Sequence, residues 1–164
     1  MAGYLDIDAM QAYWAEQGYV VSGAVDTVKL TSAWNRGASV IDRYERSFSG
    51  IRSNGFEQEH AWGRNGATTY YDQAIPNGVV PVAIANASFE AAWLEYGKPG
   101  ILSPVVTGSS VAKRKKVGQL EIEYASSSST DIDDLVRLAT PVVTAIEGLL
   151  WQFMRPASPA ILVV

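Results

Sequence analysis

The sequence predicts a mainly α fold: a small helical bundle with one inserted β-hairpin and an extended C-terminal tail. Three observations predict it. Apolar residues recur at steps of three and four in four separate segments, the spacing of one helix face. One stretch, Leu120, Ile122 and Tyr124, alternates with period two instead, as a half-buried strand does. Beyond Arg155, Pro156 and Pro159 forbid further helix and hold the chain extended.

The first helix is expected over residues 6–17, where Met10, Tyr13, Trp14 and Gln17 share a face, Asp6 or Asp8 can cap the start, and Gly18 stops it. A longer stripe of Leu30, Trp34, Gly37, Ile41, Tyr44 and Phe48 predicts a second helix ending near Ser49 and Gly50. From residue 51 to 75 periodicity vanishes while Gly, Asn and aromatics accumulate. This reads as a long ordered loop, because Phe56, Trp62, Tyr70 and Tyr71 would be costly to leave in water. Pro76 is expected to open a third helix whose face is Val80, Ala83, Ile84, Ala87, Ala91 and Leu94, with Pro81 inside its first turn and Gly97 and Pro99 ending it. A Gly/Pro/Ser linker over 97–110 leads to the hairpin at about 111–124, and a serine-rich spacer over 126–130 follows. The last helix is expected to have Thr140 as N-cap, Pro141 at its first position, and Val142, Val143, Ile146, Leu149, Leu150 and Phe153 as its apolar face. A single helical domain over 1–155 and a tail over 156–164 result.

Composition narrows the function classes. At 164 residues and 48% hydrophobic the chain has material for one packed core, so a folded domain is expected and not wholesale disorder. Thirteen basic against seventeen acidic residues, net charge −4, rule out a general basic coat, so any DNA contact is local. The absence of cysteine removes disulfide scaffolds, thiol nucleophiles and Cys-based metal sites. No Lys or Arg precedes Lys29 and no apolar run reaches the roughly 18 residues that span a bilayer, so a soluble, unexported chain is expected.

Catalytic and metal-binding patterns are missing. His60 is the sole histidine, which leaves no His-His cluster, and no Ser sits in a Gly-x-Ser-x-Gly elbow; a loop histidine is expected, not a catalytic one. Asp131, Asp133 and Asp134 imitate the start of a calcium loop, but Val136 stands where Gly is needed and Val142 where Glu should close it, so they read as helix caps. Gly97-Lys98 is followed by Pro99, so no phosphate loop exists. Gly63-Arg64-Asn65-Gly66 has the spacing of a KH-type clamp without the flanking helices. No catalytic residue, cofactor or metal is expected, and the chain reads as a non-enzyme.

Two features remain as candidate binding elements. Lys113, Arg114, Lys115 and Lys116 form the one cationic concentration. It is either a solvated strand edge paired to Glu121 and Glu123, or, with several copies together, a belt touching DNA phosphates without sequence choice. Trp62, Tyr70 and Tyr71 beside Arg64 either pack as core or subunit interface or stack on single-stranded bases. In the tail, Ala160, Ile161, Leu162, Val163 and Val164 either fold back or add as a strand to a partner.

The stretch Trp62-Gly63-Arg64-Asn65-Gly66, then Ile75-Pro76 before the helix 80–94, then the hairpin from Lys115 to Tyr124, and lastly 146–150, resembles a family of tailed-bacteriophage head-tail connector (adaptor) proteins. Many of its members carry the label of DnaT-like single-stranded DNA-binding proteins. The resemblance runs in order over about three quarters of the chain; in the family the loop usually reads Trp-Pro-Arg, and here Gly63 stands in place of the proline. It implies a virion protein of the neck, present in the host cytoplasm before assembly, that forms a homo-oligomeric ring of about twelve copies under the portal protein. Such a ring extends the DNA channel for genome packaging and docks a tail or stopper protein. On that reading Lys113, Arg114, Lys115 and Lys116 face non-specific duplex DNA, and Trp62, Arg64, Tyr70, Tyr71, Ile161, Leu162, Val163 and Val164 form interfaces, with no membrane involved. The competing expectation is a single-stranded DNA-binding protein of phage replication, which should track the strand with a positive groove. A stand-alone helical regulator would need a two-helix recognition unit that neither 24–48 nor 80–94 supplies.

Overall fold

The computed structural model describes residues 3–21, 23, 26–103, 114–117, 120–123 and 143–155, the two strands of 114–123 by their backbone. The chain divides into two compact units, one of residues 1–99 with 143–164 and one of 100–142.

The first unit holds four α-helices among the described residues: α1 (Ile7–Glu16), α2 (Thr27–Asp42), α3 (Val82–Gly97) and α4 (Thr144–Leu150). Asp6 caps α1 by accepting from the Ala9 amide at 2.7 Å, and Asp26 caps α2 by accepting from Val28 and Lys29. Both carboxylates thereby satisfy helix-start donors that have no partner inside the helix. Gly18, at φ +75°, ends the first turnaround where the sequence placed the stop. After α2 a 3₁₀ turn over Glu45–Ser47 completes the run predicted to reach Ser49, so the second helix is shorter than expected.

Helix α3 is the hub, packed against α1, α2 and α4. Its face is wider than the predicted stripe: Ile84, Ala85, Ala87, Ser88, Phe89, Glu90, Ala91, Ala92 and Glu95 are all buried. The helix begins at Val82 with Pro81 as the residue before it, not at Pro76. Pro76 instead starts a turn closed by the Val79 amide, with Gly78 at φ +73°. The close approach of α2 to α3 depends on Gly37, where a Cβ would collide with the Ser88 carbonyl and Ala92.

Helix α4 also starts later than predicted. Val143 is extended, so the helix opens at Thr144, and a 3₁₀ turn over Trp151–Phe153 follows. Residues 140–142 lie outside the described residues. Ile146, Leu150 and Phe153 are buried as the spacing predicted, while Leu149 is half-buried. The terminal turn is tied down by the Arg155 amide on the Ser47 carbonyl at 2.7 Å and by a bridge between Phe48 and Met154.

In the second unit the predicted hairpin is present as β3 (Arg114–Val117) and β4 (Leu120–Glu123), antiparallel, following the two-residue pair β1 (Ile51–Arg52) and β2 (Arg64–Asn65) of the loop. The fold is thus mainly helical with a small antiparallel hairpin.

Candidate docking surface

The segment between α2 and α3 has little regular structure and is held by buried polar groups. Arg64 is the chief one. Its Nε donates to the Ser49 carbonyl at 2.7 Å, Nη1 to Ala61 at 2.8 Å and Nη2 to Gly50 at 2.7 Å. One planar fork satisfies three loop carbonyls that no ladder reaches. Glu45 balances its charge at 3.4 Å and takes two further bonds from Arg52, at 2.7 and 2.6 Å. The Arg52 guanidinium holds the Glu45 carboxyl below its ordinary range.

A second anchor sits at the end of α2. The Asp42 carboxylate accepts from the Tyr4 hydroxyl at 2.7 Å and the Ala61 amide at 2.8 Å, and lies 2.8 Å from His60 Nδ1. Burial pushes the Asp42 carboxyl up, but these hydrogen bonds outweigh it and the net shift is downward. The same burial, with Asp42 alongside, drives the Tyr4 phenol far above its usual value. His60 therefore fastens the loop to α2.

Residues 67–75 fold back on themselves. The Ile75 amide reaches the Ala67 carbonyl at 2.9 Å, Thr69 reaches Gln73 at 2.9 Å, and Asp72 takes φ +58° at the tip. The Tyr70 amide donates to the Gln152 carbonyl at 2.6 Å, fixing this tip to the turn after α4. The result is a surface cluster in which Tyr71 meets Tyr70 and Trp151 edge to face and Tyr70 tilts against Trp151, with ring centroids 5.3 to 6.1 Å apart. They remain 46%, 70% and 48% exposed.

Of the residues that the sequence marked, Tyr70 and Tyr71 come together at this surface. Trp62 and Arg64 do not: they are 3% and 5% exposed, inside the protomer, and their expected place at an interface is corrected accordingly. Trp62 packs between Phe48 and Phe153 because a ring that size gains more in the core than on a rim. Trp151 was missed; its signal is a tryptophan one step off the Ile146, Leu150, Phe153 stripe. Lys113 and Ile161, Leu162, Val163 and Val164 lie outside the described residues. In the hairpin, the register sets Arg114 opposite Glu123, Lys115 opposite Ile122 and Lys116 opposite Glu121. Two of the cations thus stand opposite acidic residues in the register.

Among the described residues no group of three or more His, Asp or Glu is placed to hold a metal, and no helix is long and apolar enough to cross a membrane. The fold and surface define a small, mainly α protein with an ordered aromatic loop and one antiparallel hairpin. The model of the family described as "Putative DnaT-like ssDNA binding protein" matches residues 2–163, and the chain belongs to that family. No curated protein and no solved structure matches it.

Proposed function

We propose that this protein acts by binding and not by catalysis, as a head-tail connector that docks other proteins of a phage neck through the Tyr70, Tyr71 and Trp151 surface. The observation that supports this reading is the patch itself. Three aromatic side chains meet at the surface, the composition of an interface core, while Arg52 and Arg64 in the same loop are engaged in internal hydrogen bonds. The sequence resemblance to connectors supports it too. Its partners are further copies of this chain in a ring, a portal protein and a tail or stopper protein, with duplex DNA in the channel.

The test is the native mass of the full-length protein, alone and mixed with the portal of the same phage, for wild type and for Tyr71→Ala with Trp151→Ala. A ring in the wild type and folded monomers in the variant are expected. Equal docking by both, or a single copy at the neck, would overturn the reading.

A second reading, single-stranded DNA binding, is the one the family's description favours. It expects salt-sensitive binding of an oligothymidylate by the purified protein. It calls for cations beside aromatic faces.

A further inference from the structure

A different face of the molecule does combine cations with aromatic rings. Between α2 and the end of α3 lies an open cleft of about 220 Å³ lined by Lys29, Ser32, Ala33, Arg36, Glu95 and Pro99. Lys29, Ser32 and Arg36 fall on one face of α2, since seven residues make almost two whole turns. The Lys29 ammonium stands 4.4 Å over the Tyr96 ring, so it is held at the cleft without being neutralised. Arg36 is half exposed, and its Nη1 meets the buried Glu95 carboxylate at 3.4 Å. Its other N–H groups have no partner among the described residues, nor does the Ser32 hydroxyl. Glu95 thus holds one nitrogen of the fork and leaves the other donors of a half-exposed guanidinium to a ligand. Beyond Tyr96 the rings continue, with Trp93 stacked on Tyr96 at 6.2 Å and Tyr19 stacked on Trp93 at 4.7 Å.

We propose that this cleft binds the phosphodiester backbone of single-stranded DNA, with Lys29, Arg36 and Ser32 meeting phosphate oxygens and the Tyr96, Trp93 and Tyr19 run lying alongside the bases. The proposal rests on the second reading above and gives it a site. Two cations over one carboxylate leave a net positive charge, which suits a singly charged phosphodiester. A guanidinium already oriented by a buried carboxylate loses little freedom when it takes up a phosphate. The basic hairpin is not needed for this contact.

The experiment is fluorescence anisotropy of a labelled oligothymidylate of about fifteen nucleotides with the full-length protein across a salt series. The wild type is expected to bind. Lys29→Gln with Arg36→Gln should weaken binding about tenfold and flatten the slope of log K against log salt by about 1.4, two phosphate contacts' worth. Lys29→Gln alone, which leaves Glu95 paired, should flatten it by about 0.7. Changing Lys113, Arg114, Lys115 and Lys116 to Gln should leave affinity within about twofold. Binding that survives both cleft variants and is lost in the hairpin variant overturns the cleft while leaving the single-stranded DNA reading intact. A wild type that does not bind overturns both.

Discussion

Arg64 carries a charge into the loop interior, where three carbonyls have no other donor among the described residues. Lysine supplies the charge without the fork, so Arg64→Lys should lose roughly 3 kcal/mol, read from denaturant unfolding, with the slope of the transition unchanged. At Asp42 and Glu45 the folded carboxyls titrate below the ordinary values of 3.8 and 4.5. The unfolded chain therefore binds protons at a higher pH than the folded one. Their stabilisation is complete above the unfolded values and drains as pH falls through the lower folded ones. Melting temperature should decline from about pH 5 downward, and Asp42→Asn should be less stable at neutral pH with a shallower acid decline. A variant with the wild-type pH profile would show that Asp42 is not the coupled group.

At the scale of elements, glycines test the packing. Gly37→Ala drives a methyl into the Ser88 carbonyl across the α2 and α3 contact and should cost about 1–3 kcal/mol. Gly148, inside α4 with open space where a Cβ would stand, should gain about 0.5–1 kcal/mol on change to Ala. Paired thermal melts of the two variants check both signs. These elements also show what patterning reveals. Helices α1 and α2 were legible because each buries one side. The start of α3 was not, since Pro76 and Pro81 are equally acceptable before a helix; the turn at Gly78 decides between them. Its breadth of burial was hidden too, because Glu90 and Glu95 look like surface residues until Tyr13, Tyr19 and Arg36 are placed against them. Tyr70 and Tyr71 could be singled out as aromatics in a polar loop. The role of Arg64 could not, because its three short hydrogen bonds go to main-chain atoms of residues 49, 50 and 61, which carry no side-chain signature.

Across the whole molecule, charge is the organising quantity. The chain carries −4 in total, so contact with DNA must come from local groups against a repelling background. Changing Lys113, Arg114, Lys115 and Lys116 to Gln takes the total to −8. Under the connector reading, contact with duplex DNA should then weaken and become less sensitive to salt, with the melt of the helical unit unaltered because that core is built from other residues. Unchanged genome retention in particles carrying the variant would assign the hairpin to solvent.

Helix α3 has a kinetic consequence. Its amides are shielded by three neighbouring helices, and its two buried carboxylates are each held by partners on other elements. Opening it therefore means dismantling the unit, whereas α1 can lift from one side. In deuterated solvent the central α3 amides should be the last to exchange, at a rate set by global unfolding, and any ligand of the folded state should slow them in proportion to its binding free energy.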